Sequence, residues 1–275
     1  MRIMTSKELK QNRLEWISED LKVASQGDIV YFVGCLPYFD VFFSDIGVST
    51  LDAARSTVKI LNYLGINPVL LADERCCGHD LLWIGDVDNF KRLAKHNIEV
   101  IEKVGAKKVI FSCPECYRTF KKDYPTYFGE LKFDVQHIVE LIAKEIANDK
   151  IKFGDYQATV TYQDPCRLGR HLGIYDEPRQ IMYGIPKLKL NEMEKSRNTS
   201  ICCGVSAWMN CDTYSKALQV ERLKDAKSTG ADTLVVACPK CEIHLKCAMS
   251  DDNFPEDQKI EIKNLTTLAC QALKA

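Results

Sequence analysis

With 275 residues, 46% hydrophobic and 27% charged, the chain has the composition of a folded globular protein. A net charge of −1 excludes the broad basic excess that binding nucleic acid would require. No apolar run reaches the roughly 18 residues of a membrane-spanning helix, so a direct span is not expected.

The opening segment, residues 1–27, reads as a helical arm. Thr5-x-x-Glu8 has the form of a capping box, and Leu14, Ile17 and Leu21 would share one face. It lacks the apolar stretch of a secretory signal, so a cytoplasmic protein with reduced thiols is expected. Residues 29–33 form a β-branched and aromatic run that stops at Gly34-Cys35. A helix is expected over 52–64 with Gly65 behind it, then a strand over 68–71 leading to Cys76-Cys77-Gly78. Residues 86–104 carry a strong amphipathic pattern closed by Gly105, and 108–111 form a strand running into Cys113. The order then repeats. A strand at 158–162 reaches Asp164-Pro165-Cys166, Cys202-Cys203-Gly204 follows a polar stretch, a helix spans 212–229, and a strand at 234–237 ends at Cys238. Charged and glycine-containing residues at 148–157 mark the boundary, which divides the chain into domains 28–150 and 151–275. Strands alternating with helices predict an α/β fold: two tandem, internally duplicated Rossmann-like domains with small parallel sheets. Loops at the strand C-terminal ends line the ligand crevice of such sheets, and the cysteines sit there.

Ten of the thirteen cysteines fall into one motif written twice: Cys35, Cys76-Cys77 and Cys113-x-x-Cys116, then Cys166, Cys202-Cys203 and Cys238-x-x-Cys241. Matching members lie 125 to 131 residues apart. Five thiols per half in an intracellular protein point to metal binding or redox chemistry rather than a disulfide framework. A structural zinc site takes four ligands, which leaves a fifth thiolate surplus. A thioredoxin-like site would use only the Cys-x-x-Cys pair, with its pKa lowered by the helix N-terminus, and leave three thiols idle in each half. Iron–sulfur clusters take thiolate ligands and use Cys-x-x-Cys turns. The glycine after each pair permits positive φ and close backbone approach, and Pro114 and Pro239 suit a first helical turn. Cys211, Cys247 and Cys270 lie outside the motif and read as small apolar residues.

Both copies resemble the CCG domain of the heterodisulfide reductase B-type and D-type family, as do the openings Phe-Val-Gly-Cys-Leu-Pro and Asp-Pro-Cys-Arg-Leu-Gly-Arg. The resemblance covers residues 28 to about 247. It implies two non-cubane four-iron–four-sulfur (4Fe-4S) clusters, one on each complete five-cysteine set, with one cysteine of each set bridging irons. It further implies reduction of a disulfide, the mixed disulfide of coenzymes M and B or similar, between the two clusters. The implied partners are a ferredoxin-like iron–sulfur subunit and a flavoprotein subunit of the same complex. The alternative is an electron-transfer subunit of a quinone-, CoA-ester- or folate-linked redox complex that turns over no disulfide.

Basic residues crowd the motifs: Arg75 and His79, Arg118, Arg167, Arg170 and His171, Lys240 and His244. Such groups can neutralise thiolates or bind anions, although a loop cation is more often simply solvated. His79 and His171 are the candidates for delivering protons to a leaving thiolate, because imidazole titrates near neutrality. Trp83 and Trp208, each a few residues beyond an adjacent pair, are candidates for sheltering the clusters.

Overall fold

The computed structural model describes residues 12–204 and 212–274. Two small parallel sheets organise an α/β fold. The first has three strands in the order β1 (Ile29–Phe32), β2 (Lys108–Phe111), β3 (Asp134–His137). The second has four strands, β4 (Ala158–Gln163), β5 (Leu188–Leu190), β6 (Thr233–Val236) and β7 (Glu261–Asn264), in the order β5-β4-β6-β7. Central strands β2 and β6 are nearly continuous apolar runs, as sheets covered on both faces require. In the first sheet, the segment expected as a strand at 68–71 is reduced to a bridge: Val69 pairs parallel with Val30 on the free side of β1. Pro68 has no N–H to donate to a ladder.

The helices follow their signals closely. Asp86 accepts the N–H of Asn89 at 3.2 Å to cap Val87–Lys103, and Asp212 accepts that of Ser215 at 2.7 Å to cap Thr213–Lys227. Thr50–Tyr63 ends at Gly65, which has φ 75°. Cys113 and Cys238 are the N-caps of Pro114–Arg118 and Pro239–Met249, with proline in the first turn of each.

The expected N-terminal helix is not what residues 12–22 form; they run as turns. Thr5 and Glu8 lie outside the described residues. Trp16 and Leu21 are nonetheless buried, so burial of apolar side chains rather than helical propensity fixes this segment. The halves also share a core. One cluster contains Val30, Val109 and Ile142 together with Tyr162, Ile181 and Leu268. The C-terminal helix Leu265–Ala272 packs on Thr50–Tyr63, and Asp176–Tyr183 packs on Ile138–Ala147.

Candidate metal centre

Each strand that carries a cysteine delivers it at its C-terminal end. β1 leads through Gly34 to Cys35, β2 leads to Cys113, and the loop after Val69 brings in Cys76 and Cys77. All five cysteines of this half line one small pocket, together with Leu36, Phe39, His79, Asp80 and Glu115. The thiols form a chain of hydrogen bonds in the order Cys35, Cys76, Cys77, Cys116, Cys113. The second half repeats that order: Cys166, Cys202, Cys203, Cys241, Cys238. All ten motif cysteines are therefore brought together, five and five. Cys247 and Cys270 lie on helices outside the two sets and are half-buried rather than fully buried. Cys211 and Trp208 lie outside the described residues.

The donor set fits a multi-iron centre. Thiols of Cys35 and Cys77, the Gly78 N–H and the Lys240 ammonium pull Cys76 well below the usual thiol range. The other members with a shift are pushed up by neighbouring sulfurs and burial, Cys35 and Cys166 foremost by sharing a proton with the next thiol. Metal binding would displace the protons that these thiols share and take them as thiolates. The cradle fits too. Gly34 has φ 66°, and a Cβ there would lie 3.0 Å from Cys116 Sγ. Gly78 (φ 82°) serves a different close approach than the expected one: its added Cβ would meet the Phe90 ring at 2.8 Å.

Buried polar groups that sequence reasoning missed hold the cysteine loops. Arg13, 5% exposed, donates to Gly34 O at 2.5 Å and pairs with Glu74 at 2.6 Å. Glu74 also accepts the N–H groups of Gly34 (2.8 Å) and Val33 (3.3 Å). Asn97 accepts the N–H of Arg75 at 2.8 Å and donates to Cys76 O at 3.1 Å. In the second half, Arg179 makes a bidentate pair with Asp164 at 2.8 and 2.9 Å, fixing the approach to Cys166. Arg222 donates to Ser200 Oγ at 3.0 Å and to Lys195 O at 2.8 Å, holding the loop that precedes Cys202.

A buried polar bridge joins the two sets. Lys240 Nζ, from between Cys238 and Cys241, lies 2.5 Å from Asp80 and 2.9 Å from Glu115. Burial opposes the ammonium, but Glu115 and then Asp80 hold its pKa well above the ordinary value. His79 Nδ1 sits 3.0 Å from Asp80, and Arg167 Nε donates to His79 Nε2 at 3.1 Å. Arg167 also lies 2.9 Å from His171 Nε2 and stacks 3.7 Å above Trp83, which in turn stacks on His79. Thus His79 and His171, both singled out from sequence, meet on one guanidinium. His79 is 2% exposed, whereas His171 is half-buried, and burial together with Arg167, Arg118 and Arg170 lowers its pKa to about 4. His244 is buried against Gln219 at 3.1 Å. Arg118 pairs with Asp123, Arg75 with Asp73 at 2.6 Å, and Arg170 donates to Ser200 O at 2.6 Å.

The cysteine-rich domain model named CCG matches this chain twice, over residues 29–121 and 160–246. The chain belongs to the CCG cysteine-rich domain family. It is 40% identical over 272 residues to the D-type subunit of the dihydromethanophenazine:CoB–CoM heterodisulfide reductase of Methanosarcina acetivorans, covering 96% of this chain and 63% of that protein. A probable iron–sulfur-binding oxidoreductase of Bacillus subtilis, FadF, is 30% identical over 230 residues, 82% of this chain and 31% of the relative. An EtfAB:quinone oxidoreductase of Syntrophomonas wolfei is 29% identical over 225 residues, 78% of this chain and 30% of the relative. The chain thus spans less than two thirds of the length of each of these relatives. Among the described residues, no helix is long and apolar enough to cross a membrane.

Proposed function

We propose that the chain is the catalytic iron–sulfur subunit of a heterodisulfide reductase-type complex, with one non-cubane 4Fe-4S cluster held by each five-cysteine set. The observation that carries this reading is the same order of sulfur contacts in both halves, on either side of one buried polar bridge. The similarity to the D-type subunit of heterodisulfide reductase supports it. In this reading the halves are duplicated Rossmann-like units, since β5-β4-β6-β7 would match Val69-β1-β2-β3 strand for strand.

When bound, the centres supply single electrons, and cleaving a disulfide to two thiols consumes two electrons and two protons. Cys35, Cys76, Cys77, Cys113 and Cys116 would hold one such centre and Cys166, Cys202, Cys203, Cys238 and Cys241 the other, and two single-electron donors would meet that stoichiometry. The chain's own residues handle the protons. Arg167 donates to Nε2 of His79, which leaves the imidazole proton on Nδ1, facing Asp80. The half-exposed ring of His171 takes a proton from solvent and passes it to one leaving sulfur, and the second sulfur takes its proton directly from solvent, while His79, with its Nδ1 on Asp80, orients Arg167. Trp83, covered by Arg167, screens His79 from water. Electrons arrive from a ferredoxin-like subunit and, beyond it, a flavoprotein subunit.

Iron and acid-labile sulfide analysis of anaerobically prepared protein, followed by assay of mixed coenzyme M–coenzyme B disulfide reduction in the complex, tests the reading. Cys202→Ser is expected to lose one cluster's iron and disulfide turnover together. Iron-free wild-type protein, or undiminished turnover in the variant, sinks it. The quinone-linked relative favours a second reading, electron transfer without disulfide chemistry. In that case the loaded complex passes electrons to a quinone and leaves the disulfide intact.

A further inference from the structure

His79, Asp80 and Glu115 present three ligand atoms within 4.8 Å of one another, the make-up of a small cation site. The group lying among them is the ammonium of Lys240, 2.5 Å from Asp80 and 2.9 Å from Glu115. Its origin matters. Lys240 is the variable residue of Cys238-Pro-Lys-Cys241, and Glu115 is the variable residue of Cys113-Pro-Glu-Cys116. The same position of the repeated motif thus carries opposite charges that pair across the two halves. Both side chains are buried, and Pro239 and Lys240 line the five-thiol cavity of the other half.

We propose that Lys240 is a positioning residue supplied in trans by the second half: a fixed buried positive charge that favours electron uptake at the Cys35–Cys116 centre, with Glu115 as its counterweight. The inference rests on the reading that this cavity holds an iron–sulfur centre. Adding an electron makes such a centre more negative, and a nearby cation in a dry site stabilises the reduced form more than the oxidised one. Removing the cation therefore lowers the reduction potential, and removing a carboxylate raises it. Lys240 is tied to two carboxylates, so its charge is held at one place rather than free to swing into solvent. The two thiol sets repeat the same order of sulfur contacts. An acid in one turn and a base in the other make them unequal.

The test is a potentiometric titration of the cluster-loaded full chain, followed by paramagnetic resonance, in wild type, Lys240→Gln, Lys240→Arg and Glu115→Gln. At a fixed potential, Lys240→Gln is expected to lower the reduced-to-oxidised ratio of one centre about tenfold, 59 mV for a one-electron couple. Lys240→Arg retains the wild-type ratio, and Glu115→Gln shifts the same centre the opposite way. The inference is overturned if Lys240→Gln binds iron normally and its ratios are unmoved, or if Lys240→Arg behaves as Lys240→Gln does. If Lys240→Gln does not fold, Glu115→Gln decides: a raised ratio supports the inference and an unchanged or lowered one overturns it. Wild-type protein that binds no iron fails the reading of the site instead, and iron analysis before titration separates the two failures.

Discussion

Arg13 reaches from the N-terminal turns to Glu74, the carboxylate that also accepts the N–H groups of Val33 and Gly34. Burial pushes the Glu74 carboxyl up, and the Arg13 guanidinium with those two N–H groups pulls it back. Both charges are nearly inaccessible, 3% and 2% exposed at the side chain, so removing either leaves the other buried without its counterion. Arg13→Met is expected to cost about 3–5 kcal/mol of stability in the metal-free protein, read by urea unfolding. The double variant Arg13→Met, Glu74→Leu is expected to recover a large part of that, because no orphaned charge remains. Equal losses in the single and double variants would show that the pair stabilises through packing instead. The cysteines were legible in the sequence because ten thiols at repeated spacing have no bland explanation. Arg13, Arg179 and Arg222 were not, since a lone charged residue is far more often solvated and only its burial reveals its task.

The same distinction separates the elements. Apolar β1, β2, β4 and β6 were evident as strands, as were the long capped helices. Three-residue β5 (Leu-Lys-Leu) was missed, and so were β3 (Asp-Val-Gln-His) and β7 (Glu-Ile-Lys-Asn), which are short, polar and at a sheet edge. The last residues of β3 and β7 hold a shared signal that could have exposed them. His137 Nδ1 accepts the N–H of Val139, and Asn264 Oδ1 accepts that of Thr266, so each of these two strands ends in the cap of the next helix. In His137 this role demands a neutral ring, and full burial lowers its pKa from 6.5 to about 3. Burial likewise takes His244 down to about 4. Above pH 6.5 such a ring is neutral folded or unfolded, and its contribution is fully present. As the pH falls below that value, the unfolded chain gains protons the folded one refuses. Stability then declines by about 1.4 kcal/mol per pH unit for each ring until the folded pKa is reached. His137→Asn keeps a capping acceptor, the residue the second half already uses, and removes the titration. Denaturant unfolding from pH 7 to pH 4.5 should show a shallower decline in this variant than in wild type. An unchanged slope would place the acid sensitivity elsewhere.

At the level of the whole molecule, the duplicated motif suggests two independent bodies, and the packing argues otherwise. One core cluster runs through both sheets, and the last helix of the chain, Leu265–Ala272, lies on Thr50–Tyr63 of the first half. Cross-half polar ties add to it: Lys246 Nζ donates to Gly47 O at 2.6 Å, and Ile243 packs with Phe39 and Val48 beside Cys35. Each five-thiol set is thus held by a frame to which the other half contributes. A repeated cysteine spacing reports each set but carries no information on the faces that join them, which is why the shared core was invisible in the sequence. The consequence is cooperativity. Leu268, 1% exposed in the shared core, is expected to cost about 2–5 kcal/mol on substitution by alanine. Because Val109 of β2 and Val235 of β6 share one cluster with Leu268, that loss should appear in the amide exchange of both strands, although Leu268 follows β7 in the chain. Hydrogen exchange under native conditions measures both strands in one experiment. Protection lost from β6 alone, with β2 unmoved, would mean that the halves open separately and that the bridge through Lys240, Glu115 and Asp80 is their principal connection.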